Sequence, residues 1–311
     1  MRVALLGRTR ALLEAGRCLI AAGHDIPLVW TCRAEPFYDT REEDFEAFAG
    51  LIGADFVNAL DIHSGESLDR IRDARCEAAI SMNWLTLLRP LLLDLFPQGV
   101  WNAHAGDLPR YRGNACPNWA ILEGESHVGL CIHRMVAALD AGPVLVRDRL
   151  PLTDATYISD VYDWMGVRIP QMFLEAIDGL ERGTATPVPQ PDDSGQALRV
   201  YPRRPEDGRI DWRWPADHVL RLIRASSRPF DGAFTSLEGM RKVTIWRAER
   251  AGHPGPFRAV PGQVCFCLDG DPVIACGDGV IKLTDVGMDG LGGTEDAKAV
   301  IARSLRNRLL Y

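Results

Sequence analysis

The hydrophobic positions in the first hundred residues predict alternating strands and helices. Short apolar runs typical of buried strands cover residues 3–6, 26–32, 55–57, 78–81 and 99–104. Between them lie segments whose apolar residues recur at helical spacing, at residues 11–22, 42–51, 68–73 and 87–95. Phe45 and Phe48, for example, fall on one face of the second helix. Repeated βα units predict an α/β fold with a doubly wound, mostly parallel sheet.

The same pattern continues to about residue 185, where the composition changes. A helix is predicted at 117–123, strands at 128–135 and 144–150, and a long helix from Ile158 to Leu180. Residues 183–196 are rich in Thr, Pro, Asp and Gly, which is typical of a linker. A helix at 215–226 and several short strands between 233 and 283 then predict a small β-rich, open-barrel-like module. The predicted organisation is a catalytic domain at 1–185, a linker at 186–200 and a C-terminal domain at 201–311.

Composition and charge narrow the classes of function. The chain has 311 residues, of which 47% are hydrophobic and 25% charged, as in ordinary globular proteins. Its net charge of −7 argues against a large nucleic-acid interface. Its eight cysteines are scattered without a CxxC pair, so we expect reduced thiols and no metal site. The chain starts with a short strand and has no bilayer-length apolar run, which predicts a cytoplasmic protein without membrane contact.

A dinucleotide cofactor is not expected at the first βα turn. That turn reads Gly7-Arg8-Thr9-Arg10 and contains neither GxGxxG nor GxxxxGK[ST]. The glycine-rich backbone that those motifs use to approach phosphates is therefore missing there.

The candidate chemistry lies at the end of the strand predicted at 99–104. Asn102 and His104 are two residues apart, so they point to the same side of the strand. The carboxyl ends of parallel strands are where such sheets bind ligands. Asp140 occupies a turn between two apolar runs. An amide donor, an imidazole and a carboxylate are groups that acyl transfer uses, although the spacing alone also fits a structural histidine and a turn-forming aspartate.

Longer motifs around these residues resemble a known family. Residues 102–125, NAHAGDLPRYRGNACPNWAILEGE, are similar to the signature of the N10-formyltetrahydrofolate-dependent formyltransferases. The turn that begins at Asp140 is similar to that family's Asp-x-Gly turn, and residues 129–135 fit the intervening strand. Residues 203–212 resemble the start of the C-terminal module of methionyl-tRNA formyltransferases and of an amino-sugar formyltransferase. The likeness covers roughly residues 99–283.

The resemblance implies roles for the three polar groups. Asn102 would stabilise the oxyanion that develops when an amine attacks the formyl carbon. His104 would take the amine proton or deliver one to the leaving folate nitrogen. Asp140 would orient the imidazole and fix its tautomer. His133 lies in mid-strand, and we interpret it as structural.

The resemblance also implies a formyl donor and the residues that bind it. The donor is N10-formyltetrahydrofolate, and no metal is involved. Met82, Asn83 and Trp84, at the end of a predicted strand, would line the pteridine pocket together with Leu139 and Asp140.

Three residues of the loop after His104 are candidates for binding the acceptor. The usual Ser-Leu-Leu-Pro of the family loop is replaced by Gly106-Asp107-Leu108-Pro109, and the added Asp107 carboxylate suits an ammonium or a sugar hydroxyl. Arg110 and Arg112 are the nearest positive groups for a phosphate. Arg112 equally fits a structural arginine that holds the loop.

The acceptor that the sequence favours is a small-molecule amine on a nucleotide-linked sugar. Residues 35–44, where the tRNA enzyme is basic, carry five acidic residues and one arginine, which would repel nucleic acid. Methionyl-tRNA and a small amine such as hydroxyornithine are the alternatives, and a non-catalytic folate- or sugar-binding protein is a third. The sequence leaves the oligomeric state open, a homodimer included.

Overall fold

The computed structural model describes residues 1–36, 38–191 and 195–310, which form two compact units. The first comprises Met1–Cys116, Val128–Leu150 and Tyr162–Val200, and the second comprises Pro117–His127, Pro151–Val161 and the chain from Tyr201 onward. Residues 192–194 of the predicted linker, Phe37 of the acidic segment and Tyr311 lie outside the described residues. The domain bounds predicted from the sequence stay a prediction.

The first 200 residues contain nine strands and six helices among those described. The strands are β1 (Arg2–Gly7), β2 (Asp25–Thr31), β3 (Asp55–Asn58), β4 (Ala78–Met82), β5 (Val100–His104), β6 (Arg112–Gly113), β7 (His127–Arg134), β8 (Val144–Pro151) and β9 (Arg199–Val200). The helices are α1 (Arg10–Ala21), α2 (Glu42–Ile52), α3 (Gly65–Ala74), α4 (Pro90–Leu93), α5 (Cys116–Glu123) and α6 (Ile158–Glu181).

Seven of these strands form one sheet in the order β3-β2-β1-β4-β5-β7-β8. The pairs from β3 to β5 are parallel, and β7 runs antiparallel to β5. All five residues of β4 are buried, which explains why the central strands read as continuous apolar runs rather than as alternating patterns. The α/β class with a mostly parallel sheet is confirmed.

The predicted helix at 87–95 is wrong in extent, because only α4, with four residues, is helical there. Proline disfavours helical backbone in the residue before it, and Arg89 is accordingly extended (φ −79°, ψ 156°). Pro90 occupies the first turn, where its missing N–H is not needed.

The rest of the chain folds as a helix against a curled antiparallel sheet. The elements are a 3-10 turn (Pro205–Gly208), α7 (Ala216–Ser226), β10 (Ala233–Leu237), β11 (Arg241–Ala251), β12 (Val264–Leu268), β13 (Asp271–Ala275), β14 (Val280–Met288), α8 (Thr294–Ala302) and β15 (Leu309–Leu310). The sheet order is β12-β13-β14-β11-β10-β15. Val219, Leu222 and Ile223 of α7 are buried. The open-barrel-like prediction is confirmed, while α8 and β15 were missed. Among the described residues, no helix combines the length and apolar character needed to cross a membrane.

Candidate active site

The parallel strands β4 and β5 are neighbours and bring two predicted groups of residues to one edge of the sheet. Ser81 is in register with Asn102, so the chain after Met82 and the chain after His104 leave the sheet on the same side. This is the edge where open α/β sheets bind ligands. The topology therefore places the predicted folate-binding and catalytic residues together.

His104 is buried and held by the loop that follows it. Its Nε2 lies 2.6 Å from the carbonyl oxygen of Tyr111, and since a carbonyl only accepts, Nε2 donates. The Cys116 thiol donates to the same oxygen at 3.0 Å, and burial raises the pKa of this thiol to about 12, so it stays protonated. A Cβ on Gly106 would lie 2.3 Å from that oxygen, so only glycine allows the loop to pass this closely.

Asp140 faces both histidines of the site from a strained turn. Its φ of +49° is unusual for a residue with a side chain. Oδ2 accepts a hydrogen bond from the Gly113 backbone N–H at 2.8 Å and lies 3.7 Å from His104 Nδ1. Oδ1 lies 3.7 Å from His133 Nε2. These last two distances exceed hydrogen-bond length but bring the carboxylate charge close to both rings.

His133, which the sequence analysis interpreted as structural, lies opposite Asn102 in the β5–β7 pair. Its Nδ1 is 3.1 Å from the Arg134 carbonyl and therefore donates, which leaves Nε2 to accept from Asn102 Nδ2 at 3.3 Å. Burial, followed by the nearby His104, lowers the pKa of His133 to about 4. His133 is thus neutral at pH 7 and orients the Asn102 amide.

Gln190 is a second site residue that sequence reasoning missed. Its Nε2 donates to the carbonyls of Asp140 (2.7 Å) and Gly142 (2.8 Å). Its Oε1 accepts from Arg112 Nε (3.1 Å) and Nη2 (2.6 Å). Gln190 falls in the segment predicted as a linker, and no local pattern marks it. These bonds tie Arg112 to the Asp140 turn.

The predicted acceptor residues Asp107 and Arg110 line a cavity of about 700 Å³ in the first unit. The Asp107 carboxylate forms ion pairs with Arg147 and, at 3.1 Å, with Arg149. The Arg110 guanidinium carbon lies 5.5 Å from the centre of the Tyr111 ring. The cavity wall also includes Gln190, and its three arginines against one aspartate make it positively charged.

The predicted folate-binding residues offer a polar backbone and half-buried apolar side chains. Asn83 has a φ of +54°, and its amide donates to the Tyr38 hydroxyl at 2.8 Å. Met82 is buried, whereas Trp84 and Leu139 are each half-buried. Aromatic and aliphatic side chains left partly exposed beside a strand edge suit a flat pteridine ring. Within the described parts of the chain, no group of three or more His, Cys, Asp and Glu side chains is arranged to hold a metal ion.

Two family models match this chain. The family described as formyl transferase matches residues 2–177, and the one described as formyl transferase, C-terminal domain, matches residues 203–294. The chain belongs to the formyltransferase family. The resemblance inferred from the sequence motifs is confirmed.

Solved structures share the fold of this formyltransferase chain at low identity. HypX from Aquifex aeolicus, in complex with tetrahydrofolic acid, is 19% identical with a TM-score of 0.61, over 92% of this chain and 43% of that chain. An N-formyltransferase from Helicobacter canadensis, in complex with folinic acid and dTDP-3-aminofucose, is 12% identical with a TM-score of 0.65, over 91% and 98%. The methionyl-tRNA formyltransferase from Clostridium thermocellum is 14% identical with a TM-score of 0.55, over 81% and 94%. This chain spans less than half the length of HypX.

Proposed function

We propose that this formyltransferase chain transfers a formyl group from N10-formyltetrahydrofolate to the primary amine of a nucleotide-linked amino sugar. The observation that carries the proposal is the grouping of Asn102, His104 and Asp140 at one edge of the sheet, with Oδ2 of Asp140 3.7 Å from His104 Nδ1. Family membership supports the formyl chemistry, and the acceptor is argued separately below.

His104 is proposed to receive the proton of the acceptor amine at Nδ1. Its Nε2–H is already committed to the Tyr111 carbonyl, so the lone pair of the neutral ring is on Nδ1. The Asp140 Oδ2 atom lies 3.7 Å from His104 Nδ1, which is too far for a hydrogen bond to that nitrogen. The carboxylate charge is nevertheless close enough to stabilise the imidazolium once the proton has moved to Nδ1. The Tyr111 carbonyl thus fixes the tautomer, and Asp140 supplies the charge.

Asn102 is proposed to donate a hydrogen bond to the oxygen on which negative charge develops. One of its amide hydrogens is directed to His133 Nε2, which leaves the other free to point at the reacting group. A preorganised donor needs no rearrangement during the reaction. Neutral His133 is therefore a positioning residue for Asn102.

The family implies a folate donor, which supplies the formyl carbon when bound. Met82, Asn83 and Trp84 on one side, and Leu139 with Asp140 on the other, are proposed to hold its pteridine. The half-buried Trp84 and Leu139 side chains fit an apolar ring of this kind. No step requires a metal ion.

The positively charged cavity supports a phosphate-bearing acceptor. Arg110, in the cavity wall, and Arg112, which donates to Gln190 of that wall, are proposed to contact its diphosphate. Asp107 is proposed to contact its sugar hydroxyls or amine. Arg147 and Arg149 hold the Asp107 carboxylate in place. The Helicobacter canadensis relative, whose complex contains dTDP-3-aminofucose, covers the same length of chain and supports this class of acceptor.

Methionyl-tRNA is the second candidate, favoured by the likeness to the Clostridium thermocellum enzyme. The net charge of −7 and the acidic residues Glu35, Glu42, Glu43 and Asp44 oppose it, because tRNA binding requires that several phosphates be neutralised. A small amine such as hydroxyornithine fits the catalytic groups but makes no use of the arginines.

The deciding experiment incubates the purified protein with N10-formyltetrahydrofolate and each acceptor in turn. The acceptors are dTDP- and UDP-linked amino sugars, methionyl-tRNA and hydroxyornithine, with product detected by mass spectrometry. We expect formylation of an amino sugar, and none with the His104→Asn variant. Formylation of methionyl-tRNA alone would overturn the proposed acceptor. If the protein bound folate analogues but formylated none of these amines, the enzymatic proposal would be overturned in favour of a binding protein.

A further inference from the structure

The second compact unit contains a cavity of about 790 Å³ whose lining includes four arginines. Arg221 and Arg224 project from α7, and Arg247 and Arg250 from β11. The turns at residues 124–126 and 152–157 complete the wall. The volume is that of a small-molecule site, and the cavity shares no residue with the candidate active site.

Arg224 is buried in this wall with part of its hydrogen-bonding capacity unused. Its residue surface is 8% exposed, and its Nη1 donates to the Asp154 carbonyl at 2.8 Å. Its Nε is buried and has no hydrogen-bond partner among the described residues. Burial lowers the pKa of Arg224, as expected for a positive charge that its surroundings compensate poorly. Buried donors are normally satisfied, so this one calls for an acceptor.

Arg221 lies one helical turn earlier on the same face of α7. Its Nε is also buried without a partner, and within the described residues its guanidinium has no hydrogen bond or ion pair. A Cβ at Gly124 would lie 2.3 Å from Arg221 Nη1. The absence of a side chain at residue 124 is what admits the guanidinium to this position.

The acidic residues of the lining do not account for these arginines. Asp217 pairs with Arg250 at 2.5 Å, and Glu249 pairs with Lys282 at 3.3 Å. The Asp154 side chain is fully exposed, 3.7 Å from Arg224 Nη2.

Arg247 adds a third positive group to the wall. Its guanidinium carbon lies 4.6 Å from the centre of the Tyr157 ring, which holds it at the wall. With Asp217 paired to Arg250 and Glu249 to Lys282, the wall keeps three further guanidinium groups, those of Arg221, Arg224 and Arg247.

We propose that this cavity binds a small phosphate-bearing anion, with Arg221 and Arg224 as its principal donors. The planar guanidinium fork matches phosphate oxygens, and a phosphate would supply the acceptors that both buried Nε–H groups lack. The hydroxyls of Thr153 and Thr156 line the same space and offer further hydrogen bonds. The site is independent of the formyl donor and of the acceptor amine.

Inorganic pyrophosphate is the probe, titrated calorimetrically into the full-length protein without folate or sugar. We expect saturable binding that weakens about ten- to a hundredfold in Arg221→Gln, because a charge-assisted hydrogen bond is lost. Arg224→Gln should weaken binding to a similar extent. Because Arg224 is buried, that variant could fail to fold, in which case Arg221→Gln alone tests the proposal. Arg241→Gln, an exposed arginine of the same unit outside the cavity, is the matched control and should change affinity less than twofold.

A second control separates this site from the arginines of the cavity that Asp107 and Arg110 line in the first unit. If Arg110→Gln abolished pyrophosphate binding while Arg221→Gln left it intact, the proposal would be overturned, as it would be if the unaltered protein bound no pyrophosphate. Neither result bears on formyl transfer, which is assayed separately with folate and amine.

Discussion

His104 Nε2 donates a 2.6 Å hydrogen bond to the carbonyl oxygen of Tyr111. This contact, and not one with the Asp140 carboxylate, fixes which ring nitrogen carries the lone pair in the neutral state. Because Tyr111 lies on the loop that follows β5, the conformation of that loop sets the tautomer of the neutral His104 ring. The proposed chemistry therefore depends on a backbone atom seven residues away in the chain.

Replacing His104 with Asn should lower turnover by about 10²-fold or more, because the proton acceptor is lost. Binding of a folate analogue should change little, since Met82, Trp84 and Leu139 are untouched. Steady-state kinetics and fluorescence titration measure the two effects. His63→Gln, at a half-buried histidine outside the site, is the control. Near-normal turnover in His104→Asn would remove His104 from the mechanism.

Asn102→Ala should lower kcat by about 10²- to 10³-fold, as losing one oxyanion donor costs about 2.7–4 kcal/mol. His133→Leu should reproduce part of this loss, roughly tenfold in kcat at unchanged acceptor KM, since it removes the acceptor that orients the amide. His133→Gln retains an acceptor oxygen and should restore much of the rate. Equal losses in the Leu and Gln variants would mean that His133 acts only through packing.

Stability should depend on pH through His133. Its folded pKa of about 4 lies below the usual 6.5, so between these values the unfolded chain binds a proton that the folded chain does not. The free energy of unfolding is therefore expected to fall as the pH drops from about 6.5 to about 4, and this contribution is fully present above 6.5. Urea denaturation at several pH values measures it. A His133→Gln variant with an unchanged pH slope would contradict the assignment.

Gln190→Leu should reduce both activity and stability. It leaves the carbonyls of Asp140 and Gly142 and the Arg112 side chain without their shared partner, at a cost of about 1–3 kcal/mol for a buried unsatisfied group. Thermal denaturation and kcat report the two effects. Val188→Ala, at an exposed neighbour in the same segment, should leave both nearly unchanged and serves as the control. An active, fully stable Gln190→Leu protein would show that the turn is held by other contacts.

Chelators should leave formyl transfer intact, because proton transfer and hydrogen bonding need no metal ion. Activity is compared before and after EDTA treatment and desalting. Complete loss on chelation, restored by zinc, would contradict the proposed chemistry.

The sequence predicted the mostly parallel sheet correctly, and the structure brings the proposed catalytic residues Asn102, His104 and Asp140 to one edge of it. Continuous apolar runs are diagnostic of buried parallel strands, and Asn102 and His104 both belong to one such strand, the five-residue β5. The Asp140 turn was found through its motif. Each of these signals is local, or is carried by a short motif.

What the sequence missed depends on contacts between distant parts of the chain. The role proposed for His133 depends on its pairing with Asn102 across the β5–β7 ladder, 31 residues away. Gln190 reaches Asp140 over 50 residues from a segment that reads as a polar linker. Periodicity carries no information about either partner. The helix predicted at 87–95 was too long. The prediction followed the helical spacing of the apolar residues, whereas Pro90 keeps the residue before it out of the helical conformation.

The antiparallel alignment of Asn102 with His133 restricts how this part of the chain can vary. Side chains alternate between the two faces of a strand, so inserting or deleting one residue between Val128 and Ile132 would turn His133 away from Asn102. The same change would bring its neighbour, the exposed Arg134, or the buried Ile132 to that face. Length changes in β7 should therefore be tolerated only in pairs of residues.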